Sequence, residues 1–216
     1  VAVFVVHLEG RPDLNVWHTA FLDEEFTARS RVESFKEYLA LEEKLFRQLD
    51  EKIGQRLQPE DKGQVNRFYN GSLSDPKQWP RNWNRTFEFE ATNPRGGVLL
   101  LHGMSDSPYS LRSVGERLHS EGYWVVGLRL PGHGTAPSGL AHMTWEDMAA
   151  AVKVGMNRLK EKVGDRPLHI VGYSNGGALG VHYALCGLED ISLPKVNKLV
   201  LISPAIGVAP VAALAV

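Results

Sequence analysis

The sequence predicts an α/β fold over residues 86–216, a doubly wound and mostly parallel sheet, with a helical extension ahead of it over residues 1–85. Two observations predict it. Short apolar runs alternate with amphipathic helical patterns from Thr86 onward, and the connections between them are brief. One apolar run, Leu168-His169-Ile170-Val171, leads through Gly172-Tyr173-Ser174-Asn175-Gly176 straight into an Ala/Leu/Val-rich helical pattern. Strands alternating with helices over short connections mean parallel strands joined by crossover helices.

Taken in order, Val1 to Val6 is apolar throughout and too short to span a bilayer, which needs about 20 residues. It reads either as a first strand or packed arm, or as the remnant of a removed signal or anchor that would place the domain at or outside a membrane. From Asp23 to Ile53 the pattern is helical and strongly charged. Ser30 with Glu33 and Ser34 with Glu37 both form capping-box patterns, and Phe35, Leu39, Leu45, Phe46, Leu49 and Ile53 give an apolar stripe that Gly54 can end. The charged face of this helix reads as solvated, with a partner or membrane surface as the rival reading. Residues 55–85 are linker-like, with turn signals at Gln58-Pro59, Asn70-Gly71, Asp75-Pro76 and Trp79-Pro80. Trp79 and Trp83 are expected to pin this linker onto the domain; contact with lipid or substrate is the alternative.

Thr86 to Glu90 alternates as a strand with Phe87 and Phe89 on one face, and Asn93-Pro94-Arg95-Gly96-Gly97 turns the chain. Val98 to Leu101 is an uninterrupted apolar strand suited to the middle of a parallel sheet. A helix is expected from Pro108 to His119 and a strand from Tyr123 to Leu130. A further helix capped by Thr144 runs to Lys162, with Met148, Val152, Met156 and Leu159 on one face. The strand into Ser174 follows, then a helix to Leu188 and a last strand from Lys198 to Ser203. Val208 to Val216 is apolar without a cap or polar tail, and the sheet is expected to be incomplete at that end.

Composition excludes several classes. The chain has 216 residues, 43% apolar and 23% charged, as an ordinary globular domain does. With 24 basic and 25 acidic residues and a net charge of −1, it lacks the electrostatic footprint of a nucleic-acid binder. A single cysteine excludes an internal disulfide, and Cys186 is expected to be a small core residue. No Cys-x-x-Cys or His-Glu-x-x-His pattern is present, so a structural or catalytic zinc site has no sequence support.

The chemistry gathers at Ser174. Strand, tight turn, helix is the context in which Gly-x-Ser-x-Gly presents a nucleophile, with Gly172 and Gly176 removing side chains that would clash at the turn. Acyl transfer also needs donors for an oxyanion. The backbone N–H of Asn175, at the start of the helix, is the first candidate. The second is the N–H of Met104, in a loop where Gly103 lets the chain turn inward and His102 shapes the turn rather than acting as the base.

These residues resemble the α/β-hydrolase family, in the branch that includes monoacylglycerol lipases, lysophospholipases and small carboxylesterases, sometimes grouped with the serine aminopeptidases. The resemblance is carried by Leu101-His102-Gly103-Met104, Leu130-Pro131-Gly132-His133-Gly134, Gly172-Tyr173-Ser174-Asn175-Gly176-Gly177 and Leu199-Val200-Leu201-Ile202-Ser203-Pro204-Ala205, and covers residues 86–206. It implies a three-layer α/β/α domain, ester hydrolysis through an acyl-enzyme on Ser174, no cofactor, and a small ester or lipid as substrate. A serine peptidase and a non-catalytic binding protein on the same scaffold are the rival readings.

One departure stands out. In the family the nucleophile is followed by an Asp or Glu and then a His on later strands. After Ser174 this sequence offers only His182, Glu189 and Asp190. His182 lies two turns along the same helix, about 12 Å of rise away, and Glu189 and Asp190 lie at its far end. The triad acid and His are therefore expected to be absent from this chain, which reads as a fragment of a longer hydrolase and as inactive alone.

Overall fold

The computed structural model describes residues 13–207, so the apolar stretches Val1–Val6 and Val208–Val216 lie outside the described residues. Five strands form one sheet in the order β1-β3-β2-β4-β5: β1 (Phe87–Phe89), β2 (Gly97–Leu101), β3 (Trp124–Leu128), β4 (Leu168–Tyr173) and β5 (Val196–Ile202). β1 runs antiparallel to β3, and the other pairings are parallel. The helices are α1 (Val16–Thr19), α2 (Phe35–Lys52), α3 (Arg112–Ser120), α4 (Trp145–Val163) and α5 (Asn175–Glu189).

Alternation along the strands separates two cores, because successive side chains point to opposite faces. Val98 and Leu100 of β2, with Phe87, Val125 and Val171, pack against Leu111 and, from α3, Val114 and Leu118. Leu99 and Leu101, with Val126, Leu128 and Ile170, pack on the other face against Met148, Val152, Met156 and Leu159 of α4 and against Leu179 and Tyr183 of α5. The result is three layers, as the alternation predicts. β2 is buried at every position, the reason it carries no polar residue. Among the described residues β5 pairs only with β4, and Val200, Leu201 and Ile202 remain exposed.

Residues 13–85 are built into this core. Phe35 and Tyr38 of α2 and Phe26 before it join the cluster on the α4 face. Arg129, 1% exposed at the end of β3, holds the segment in place. Its Nη2 and Nη1 donate to the two carboxylate oxygens of Glu25 at 2.8 and 3.0 Å, and its Nε donates to Glu42 at 3.1 Å. Glu42 also accepts from the backbone N–H and hydroxyl of Thr86, and the Tyr38 hydroxyl donates to the Arg129 carbonyl. Burial works against the arginine's charge, but Glu25, Tyr38 and Glu42 outweigh it and hold its pKa above the usual value. Asp147, in the capping box of α4 with Thr144, accepts a further bond from Ala28 N–H.

Several expectations need correction. The helix expected from Asp23 begins only at Phe35, where Ser34 and Glu37 form the capping box. Upstream, Glu25 is drawn to Arg129, and the Ser30 hydroxyl accepts from Thr27 N–H instead of capping a turn with Glu33. The helix expected from Pro108 starts as a 3-10 turn through Leu111, and α3 proper begins at Arg112. The strands expected over residues 123–130 and 198–203 are Trp124–Leu128 and Val196–Ile202. Trp83 does pin the linker, edge-on to Phe87 with ring centroids 5.5 Å apart, but Trp79 is 60% exposed and pins nothing. Cys186 is only half-buried, so it is no core residue. Among the described residues no helix is long and apolar enough to cross a membrane.

Candidate active site

The sheet itself locates the site. β2 and β4 lie side by side and parallel, yet the chain leaving β2 goes to α3 on one face and the chain leaving β4 goes to α5 on the other. Loops that part in this way leave a crevice at the carboxyl ends of the two strands. Into it run Leu101-His102-Gly103-Met104 from β2 and Tyr173-Ser174 from β4.

Ser174 has φ 51° and ψ −115°, a left-handed conformation rare for a residue with a side chain. Such a conformation costs about 1–3 kcal/mol and persists only where its surroundings enforce it. Here the Ser174 N–H donates to Ile202 O, and the Ser174 carbonyl accepts from Gly177 N–H and Ala205 N–H, all at 3.0 Å. Glycine is needed at 176 because a Cβ there would stand 2.1 Å from the Leu101 carbonyl oxygen, and at 172 because one would stand 2.4 Å from the Gly176 carbonyl oxygen. The turn is thus wedged against the end of β2, and Ser174 is half-buried at the mouth. Its side chain makes no capping bond to α5.

The loop after β2 approaches the same serine. A Cβ at Gly103 would lie 3.1 Å from the Tyr173 ring and 3.3 Å from Ser174 Cβ, a tight fit that any side chain there would have to open by a few tenths of an ångström. The sharp reversal falls two residues later, at Ser105 with φ 58°. Gly103 therefore serves the close approach of the inward-turning loop to Ser174, and the reversal itself falls at Ser105. Met104 lies between them with its side chain exposed. Neither Met104 N–H nor Asn175 N–H donates to another backbone group among the described residues. The Asn175 side chain reaches back to Met148 Sδ at 3.4 Å.

His102 is fully buried beside this loop. Its Nδ1 lies 2.9 Å from the Gly103 carbonyl, and its Nε2 accepts from Leu130 N–H at 3.0 Å. A carbonyl can only accept, so Nδ1 carries the proton and both nitrogens are committed. Burial drives its pKa down to about 3, with His133 and Arg129 adding to the effect. It stays neutral and ties the loop after β2 to the one after β3. His133 packs edge-on to it at 5.2 Å and is likewise pushed down by burial.

The residues after Ser174 stay apart from it. His182 packs on Trp145, with its Nε2 3.6 Å from Cys186 Sγ. Glu189 is exposed, and Asp190 accepts from Ser192. No three metal-ligating side chains converge among the described residues. Sequence reasoning missed Arg129, Glu25 and Glu42, which hold the loop after β3: Glu25 accepts from Gly132 N–H, and Arg129 Nη1 donates to His133 O. The available signal was a lone arginine inside the apolar run Tyr123 to Leu130. Arg67, whose Nη2 donates to Gly134 O at 2.8 Å, had no such signal.

A family profile described as serine aminopeptidase, S33 matches residues 92–216. Over 109 residues the chain is 35% identical to a thermostable monoacylglycerol lipase of Bacillus sp. (strain H-257), covering 48% of this chain and 43% of that one. Over 101 residues it is 33% identical to a carboxylesterase of Bacillus subtilis (strain 168), covering 45% and 41%. Among solved structures, one described under the metagenome-derived lipolytic enzymes LipS and LipT superposes with a TM-score of 0.54 at 33% identity, covering 62% of this chain and 52% of that one. The chain spans about half or less of the length of the relatives it matches.

Proposed function

Because the chain belongs to the serine aminopeptidase S33 family and has its α/β-hydrolase fold, we propose that the protein hydrolyses carboxylic esters through an acyl-enzyme on Ser174. The observation that carries this reading is the strained Ser174 set directly against the Gly103–Met104 loop. Ser174 Oγ attacks the ester carbonyl, and the oxyanion takes the free N–H groups of Met104 and Asn175, the latter at the positive end of α5. The tetrahedral intermediate expels the alcohol, which takes the serine's proton by way of a histidine. Water then adds to the acyl-enzyme by the same route and releases the acid.

The histidine and the carboxylate that orients it come from outside the described residues. A serine hydroxyl without a base is almost wholly protonated at neutral pH. Loss of the base in a triad costs about 10⁶ in turnover, so residues 1–216 alone should be at least ~10⁵-fold slower than the longest natural form. The substrate class is a small ester or lipid, as the lipase and carboxylesterase relatives suggest.

The test is labelling of the longest natural form with a fluorophosphonate, followed by peptide mapping. The label should sit on Ser174 and vanish in Ser174→Ala; a label elsewhere sinks the assignment. The family description favours a second reading, cleavage of N-terminal residues from peptides. Turnover of aminoacyl p-nitroanilides exceeding that of p-nitrophenyl esters would select it.

A further inference from the structure

Arg67, which is partly buried, lacks the carboxylate partners of two other arginines. Arg129 faces Glu25 and Glu42, and Arg158 faces Glu88. Arg67 makes one bond, to the Gly134 carbonyl, and among the described residues no carboxylate lies within ion-pair distance of it. A guanidinium carries five N–H donors in a planar fork, so most of this one's capacity is unused. Its other nitrogens are not sealed from solvent. Burial lowers its pKa, and the guanidinium lies over the Phe68 ring, 5.5 Å from its centroid, with no carboxylate paired to it.

Three cavities meet at this side chain. One, of about 470 Å³, is walled by Arg67, Ser105, Ser107, His133 and Thr135, and it opens beside the proposed oxyanion loop because Ser105 directly follows Met104. A second, of about 380 Å³, is lined by Phe46, Leu49, Asp50, Phe68 and Asp75, and shares Arg67 and Gly134 with the first. The third, of about 500 Å³, is lined by Trp17, Glu60, Asp61 and Phe68, and its carboxylates form no ion pair with Arg67. In the wall of the first, Thr135 is 3% exposed, yet its Oγ1 has no hydrogen-bond partner; His133 Nδ1 carries the proton that faces the Pro131 carbonyl, so its Nε2 is an acceptor and offers an anion no bond. That cavity's one carboxylate, Asp106, is engaged by the Ser110 hydroxyl and forms no ion pair with Arg67. A polar wall with the hydroxyls of Ser105 and Thr135 and a guanidinium with unused donors suits an anionic ligand.

We propose that Arg67 anchors an anionic oxyacid group, a phosphate or carboxylate, on the ester that Ser174 cleaves, held in the cavity beside the Met104 loop. The anion site stands on Arg67 and the cavity; only its assignment to a substrate rests on the esterase reading. The planar fork fits two oxygens of such a group at once, which a lysine cannot do. The substrate class narrows to esters with a charged alcohol half, such as an acylated glycerol phosphate.

The experiment has a binding arm and a kinetic arm. Titration calorimetry on residues 1–216 should show binding of glycerol 3-phosphate and no binding of glycerol. Arg67→Gln should weaken that binding at least 10-fold with an unchanged thermal melt, Arg67→Lys should fall between, and Ser174→Ala should leave it intact. No binding by the unaltered chain, or equal binding by Arg67→Gln, overturns the site. Inorganic phosphate binding as tightly as glycerol 3-phosphate assigns it to free phosphate and overturns the substrate assignment. In the longest natural form, Arg67→Gln should lower kcat/KM for 1-acylglycerol 3-phosphate at least 10-fold through KM, and leave monoacylglycerol unchanged. Fluorophosphonate labelling of Ser174 is independent of both arms, so failure of the esterase reading is seen separately.

Discussion

Arg129 and Glu25, 104 positions apart, face each other as a two-pronged ion pair with the arginine 1% and the glutamate 15% exposed. The same carboxylate accepts from Gly132 N–H, so one side chain from the N-terminal segment fixes both the end of β3 and the loop beyond it. Glu25→Ala would leave a buried guanidinium with half its partners. Breaking a buried pair in this way costs about 3–5 kcal/mol. Urea unfolding should show that loss, and a change below 1 kcal/mol would mean the N-terminal segment is only laid on the surface.

The wedge under the serine turn makes a sharper demand. At Gly176 an added methyl would meet the Leu101 and His102 carbonyl oxygens at 2.1 and 2.6 Å, and backbone cannot rotate away as a side chain can. Gly176→Ala should cost at least ~3 kcal/mol and abolish fluorophosphonate labelling of the longest natural form. A folded variant that labels at the normal rate would show that the turn tolerates displacement.

His102 makes stability depend on pH. Its folded pKa of about 3 lies below the ordinary 6.5, so as acid is added the unfolded chain takes up the proton first. The stabilisation is complete above pH 6.5 and is lost as pH falls from 6.5 towards 3. Its full size is on the order of 5 kcal/mol. His102→Gln should lower stability at pH 7.5 and flatten the slope between pH 6.5 and 4, leaving the share of His133. Denaturant titrations at four pH values would check it; an unchanged slope means that His102 is protonated in the fold.

The two tryptophans of the linker give a paired test. Trp83 lies edge-on to Phe87 and Phe89, whereas Trp79 is mostly exposed. Trp83→Ala should cost about 1–3 kcal/mol, and Trp79→Ala should stay within about 0.5. Thermal melts of the two variants would separate them, and equal shifts would contradict the packing seen at Trp83.

Much of the core was legible in the sequence because its rules are local. Leu99 and Leu101 against Val98 and Leu100 follow from the period of a strand, and Met148 to Leu159 from that of a helix. The turn at Ser174 is legible for the same reason, since strand, two glycines and helix occupy ten consecutive positions or so, but its strained backbone is held by distant partners, Ile202, Ala205 and the end of β2. The linker was harder, since turn signals mark where a chain bends and say nothing of what it bends onto.

What the sequence by itself determined is therefore the order of strands and helices, the serine turn, and the faces that had to be buried. Only the tertiary structure decided that the helix begins at Phe35, that Arg129 collects Glu25 and Glu42, and that Arg67 is left with a carbonyl, the Phe68 ring and three cavities. The physical reason is range. Periodicity and capping act over a few residues, whereas a buried charge is matched by whichever opposite charge the fold brings near, and nothing in the spacing of Glu25, Arg67 and Arg129 reveals which of them will be paired.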